Sequence, residues 1–121
     1  MANTFKVVTF AAEPASAGTP YKMYTVAGST TTVVLGLILT NIHTSAVTVE
    51  VELVSDTGSR GGANNVTNGT SFLVKDVTIP AGSSLELLSG GKVVIETTDY
   101  LNIDCSVADK VSGTLSIMEI T

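Results

Sequence analysis

The stretch from Thr31 to Ser55 constrains what this chain can fold into more than any other. It reads as two long strands, TTVVLGLILTN and VTVEVELVS, separated by a short turn around His43-Thr44-Ser45-Ala46. Simple alternation along the first puts Val33, Leu35, Leu37 and Leu39 on one face and Val34, Ile38 and Ile42 on the other. Both faces are apolar, which predicts a central strand covered on two sides. In the second strand Val47, Val49, Val51 and Leu53 point one way and Thr48, Glu50 and Glu52 the other. That is the period-2 signature of a half-buried antiparallel strand.

The remaining sequence supplies further strands of the same kind. Phe5 to Phe10 predicts a short strand, and the Ala-, Pro- and Gly-rich AAEPASAGTP after it predicts a loop. Residues 1–20 are therefore expected to form an N-terminal arm, either a flexible leader or a segment pairing with a neighbouring subunit, ahead of one domain over residues 21–121. Pro20 to Ala27 is a strand that ends at Gly28-Ser29, and Gly36 inside the central strand marks a bulge or a close backbone approach. The segment Asp56 to Thr70, rich in Gly and Asn, has no strand or helix period. Loops of such length in a compact domain are usually functional or disordered.

Ser71 to Ile79 is a strand whose alternation breaks at Lys75-Asp76, where a bulge would restore it. Pro80-Ala81-Gly82 is a turn, Ser84 to Leu88 a short strand, and Gly90-Gly91 a hairpin turn into KVVIET. Tyr100 to Val107 and Ser112 to Ile120 complete the series. Eight or nine strands at this spacing, with no sustained 3.6 period, predict an all-β, antiparallel two-sheet β-sandwich with essentially no helix. Periodicity leaves immunoglobulin-like and jelly-roll topologies both open. Paired cysteines and a core Trp are missing, and Tyr100 is a candidate for a tyrosine corner.

Composition narrows the chemistry. With 121 residues, 44% of them hydrophobic, the chain can fill one core, and β-branched residues rather than aromatics (5%) dominate it. Its formal charge is −5, and its six basic residues stand singly along the sequence. Nucleic-acid binding requires a basic patch, so neither nucleic acid nor an anionic membrane is an expected partner. The N-terminus lacks the charged and apolar regions of a secretion signal, and the run Val33 to Leu39 falls far short of the roughly 20 residues that span a bilayer.

No catalytic frame is visible, and the chain reads as a non-enzyme with no cofactor and no catalytic, cofactor-binding or metal site. His43 is the only histidine and reads as structural or exposed. Cys105, in step with Leu101, Ile103 and Val107, reads as a small buried hydrophobe. One histidine and one cysteine do not make a zinc site, and SRGGANN lacks the lysine and helix of a phosphate loop. Glu50 and Glu52 share a strand face, as a glycosidase pair could, but read as a solvated surface. Asp99, Asp104 and Asp109 are calcium-ligand candidates without EF-hand spacing. Arg60 and the sequons at Asn65 and Asn68 read as ordinary loop features.

Val77 to Thr121 shows a recurring plan: the Pro80-Ala81-Gly82 turn, an aliphatic stretch ending at Gly91-Lys92, an Asp99-Tyr100-Leu101 strand entry, and a final strand closing on Glu119-Ile120-Thr121. This plan, with Tyr24-Thr25-Val26 and the central strand pair, resembles small virion proteins of tailed bacteriophages. The resemblance implies a stable sandwich without catalytic residues. It would act as a capsid decoration (cement) protein whose partners are the major capsid protein and further copies of itself, with a trimer as the expected oligomer. Its expected location is the virion surface, after synthesis in the host cytoplasm. Alternatives are a neck or tail accessory protein, or a carbohydrate- or host-surface-binding sandwich that uses the Asp56–Thr70 loop.

Overall fold

A computed structural model describes residues 2–55, 69–88 and 90–121. Nine strands follow one another: β1 (Asn3–Glu13), β2 (Tyr21–Thr25), β3 (Thr31–Asn41), β4 (Val47–Ser55), β5 (Gly69–Ile79), β6 (Ser84–Leu87), β7 (Val93–Glu96), β8 (Tyr100–Cys105) and β9 (Val111–Ile120). Among the described residues there is no helix. The strands form two antiparallel sheets packed face to face as a β-sandwich. Sheet A has the order β1-β9-β3-β6, with β7 also on β3, and sheet B the order β2-β8-β4-β5.

The pairings nest around the β4–β5 pair. Strand β4 pairs with β5, β3 with β6 and β7, β2 with β8, and β1 with β9. The whole chain is thus one long hairpin wrapped over itself, and the wrap is sealed by β3–β9 and β4–β8. This is a jelly roll in which β6 and β7 share one strand position. An immunoglobulin sandwich pairs its first two strands. Here β4 and β5 are the only consecutive strands that pair among the described residues, so that alternative is excluded.

Aliphatic side chains from both inner faces fill the space between the sheets. Leu37, Leu39, Leu115 and Ile117 from sheet A meet Val49, Val51, Leu101 and Ile103 from sheet B, all essentially inaccessible. The inward row of β4, Val47-Val49-Val51, follows the alternation expected from its sequence. The break at Lys75-Asp76 is also where it was expected. Val77 pairs with Val49 and Val74 with Val51, so the two intervening residues bulge out, and Asp76 adopts φ 51°. In the 80–83 turn, Ser83 N–H donates to Pro80 O (3.1 Å) and Gly82 takes φ 70°, as a type II turn requires.

Four expectations need correction. First, residues 1–20 are not an arm: Asn3–Glu13 forms a strand hydrogen-bonded along β9 of the same chain. The small residues Ala11 and Ala12 belong to it at a register shift between the Phe10–Gly113 and Glu13–Val111 pairs, an irregularity that weak strand formers suit. Second, Gly90-Gly91 does not make a hairpin. Both β6 and β7 pair with β3, at Leu37–Thr40 and Thr31–Val34, one after the other along the same edge. Third, the register of β3 shifts between Val34 and Gly36, which reverses the alternation. Val34 faces the core with Leu37 and Leu39, while Val33, on the same apolar row by simple alternation, faces outward. The second face of β3 is consequently not covered, and Ile38 is 44% exposed. Fourth, Tyr100 makes no tyrosine corner. Its ring lies on the outer face of sheet B with Lys22 Nζ 4.0 Å from the centroid. The expected recognition loop lies mostly outside the described residues, at 56–68, together with Arg60 and both sequons.

Two buried details hold this arrangement. Asn41 is fully buried at the end of β3. Its Nδ2 donates to Ser45 O and Ile79 O (both 2.9 Å), and its Oδ1 accepts from His43 N–H (2.7 Å). Replacing Asn41 by Ala strands these partners, so Asn41→Ala should lower unfolding free energy by about 2–4 kcal/mol in a denaturant titration. At the other detail, the Phe10 ring lies over Gly113, its partner across the β1–β9 ladder. A Cβ there would fall 2.3 Å from Phe10 Cζ. Gly113→Ala should therefore cost about 1–3 kcal/mol by overpacking, and Phe10→Leu in the same chain should restore part of it.

Candidate functional site

The two outer faces of the sandwich differ in character. On sheet B, strand alternation turns out Lys22, Glu50, Glu52, Asn102 and Asp104 opposite one another in register. Lys75 Nζ sits 2.9 Å from Glu50 Oε1, 3.8 Å from Asp76 Oδ2, and over the Phe72 ring at 4.8 Å. Glu50, Asp76 and Asp104 border a shallow depression of about 160 Å³ with Thr48 and Ser106. This is a solvated face of compensating charges, in keeping with the reading of Glu50 and Glu52 as surface residues.

The outer face of sheet A is different. Cross-strand pairing lines up Phe5, Met118, Val33 and Val94 as one continuous row across β1, β9, β3 and β7. The next row holds Val7, Ser116 and Gly36, and the one after it Thr9, Thr114, Ile38 and Glu86. Phe5 is 72% exposed, Val7 63% and Val94 61%. With Ile38 they make four of the six large hydrophobic side chains exposed among the described residues, gathered on one face. Scattered exposed apolar residues are ordinary, but a contiguous patch marks a surface used for interaction. The charge in these rows, Glu86, and Glu96 in the row beyond Phe5–Val94 both stand on the β6/β7 border.

The patch has a depression on its β3 side. Because β6 stops pairing at Leu37 and β7 at Val34, the outer edge of β3 is open at Leu35-Gly36. A cavity of about 320 Å³ opens there, lined by Gly36, Ile38, Glu86, Thr114 and Ser116 among others. A Cβ placed on Gly36 would meet nothing within 4 Å.

The residues singled out by their chemistry do not converge. His43 lies in the β3–β4 turn, half-buried. Cys105 is buried, opposite Val49 on β4. Asp99 accepts the Glu96 N–H (3.0 Å) in the β7–β8 turn. Asp104 Oδ1 accepts from Gly18 N–H (3.1 Å) and Cys105 N–H (2.9 Å). Asp109, at φ 58°, donates its N–H to Pro14 O (2.8 Å). Each aspartate serves its own piece of backbone. Among the described residues no group of three His, Cys, Asp or Glu side chains is placed to hold a metal ion.

One polar cluster escaped sequence reading. Lys6, Glu119, Thr32 and Tyr24 come together at the end of the core where β1, β9, β3 and β2 meet. Lys6 Nζ is 2.7 Å from Glu119 Oε1, and Tyr24 OH donates to Glu119 Oε2 at 2.6 Å. Having spent its proton there, the Tyr24 hydroxyl accepts from Thr32 Oγ1 at 2.8 Å. Burial, reinforced by Glu119, pushes the Tyr24 phenol up to about 12. The Lys6 ammonium and then the Tyr24 hydroxyl hold the Glu119 carboxyl below its usual range. Residues this distant in sequence, joined only through register, leave no local signal beyond an apolar strand interrupted by a charge.

No protein-family model matches the chain, and no curated protein does. Among solved structures, a protein from work describing Bacillus endospore appendages as a novel family of disulfide-linked pili aligns with 99% of this chain and 87% of its own. The two are 16% identical, with a TM-score of 0.49.

The Lys6–Glu119–Tyr24 cluster sets an acid limit. The folded pKa of Glu119 lies below its ordinary 4.5. Its contribution is present above that value and is lost as pH falls through the lowered folded value. Glu119→Gln should cost about 1–2 kcal/mol at neutral pH and flatten the decline of the melting temperature below pH 4.5. Tyr24, shifted upward, contributes below pH 10 and loses that contribution as pH rises toward 12. Tyr24→Phe should remove that alkaline part of the profile.

Proposed function

We propose that this chain is a structural, non-enzymatic assembly protein that works by burying the outer face of sheet A against protein. The observation that carries this reading is the continuous apolar row Phe5–Met118–Val33–Val94, exposed on a face whose charges are confined to one border. A sandwich with a salt-bridged, solvated sheet B and a bare, apolar sheet A has one side for water and one for a partner. Cys105 is the single cysteine and is buried, so disulfide cross-linking between copies has no part in this reading.

Within this class, the resemblance of Val77–Thr121 to small virion proteins of tailed bacteriophages supports a decoration protein that binds and stabilises a shell of major capsid protein. A jelly roll suits that task, because its wrapped topology spreads stability through long-range pairings rather than through a cofactor or disulfides. A neck or tail component would use the same surfaces at another place on the particle.

The test is co-sedimentation of the purified protein with undecorated capsids of the parent phage. Saturable binding, and a rise in the temperature at which the capsids release their DNA, is the expected result. Capsids that neither bind the protein nor gain stability would remove the decoration role.

A further inference from the structure

We draw no further inference here: the strongest candidate, the apolar patch around Phe5 and Val94 with the Gly36 depression on the outer face of sheet A, belongs to the surface already described, and nothing in the structure shows what covers it.

Discussion

The ladder between β3 and β9 is the interaction on which the rest of the fold depends. It joins a strand from the first third of the chain to the last strand, and it runs nearly the full length of both. On its far sides β9 carries β1, and β3 carries β6 and β7, so sheet A has no other spine. Until the C-terminal strand arrives, β1 has no partner and β3 has an open edge. The jelly roll is therefore completed only by the end of the chain, a non-local topology of the kind that folds slowly for its size. The stability of the result lies in long-range pairing and in a dry aliphatic core.

The register shift at Val34–Gly36 within that ladder determines what each face of sheet A becomes. One extra residue reverses the alternation, turning Val34 inward and Val33 outward. Had the alternation run unbroken, Val33, Leu35, Leu37 and Leu39 would share the core face. Instead the core keeps Leu37 and Leu39, Val33 joins Phe5, Met118 and Val94 on the outside, and Gly36 lies at the bottom of a recess. A bulge in mid-strand thus creates both the apolar row and the depression beside it. The gap between β6 and β7 deepens the recess, because two short strands take the place of one long strand.

Much of this was legible in the sequence, and the limits have physical causes. Alternation in VTVEVELV identified both the buried and the solvated side of β4 correctly, because that strand has a plain period along the residues concerned. The broken period at Lys75-Asp76 disclosed its bulge, since two polar residues there interrupt an apolar row. The bulge at Gly36 was marked only by the glycine: every neighbour is aliphatic, so either parity looks equally apolar. The Lys6–Glu119–Tyr24–Thr32 cluster and the anchoring role of Asn41 depend on contacts between strands far apart in sequence.

By itself, then, the sequence determined the class of structure: many short strands, few aromatics, β-branched cores and polar turns admit a two-sheet sandwich and little else. It also determined where most strands begin and end, since turns are set by local residues such as Pro80 and Gly82. Tertiary structure alone decided the order in which strands pair, and so chose the jelly roll over the immunoglobulin arrangement. It alone drew Asn3–Glu13 into sheet A and left one outer face bare. The reason is that side-chain alternation reports which residues share a face, while hydrogen bonding between backbones is blind to residue type. Which strands become neighbours is settled by how the two inner faces fit around a common core.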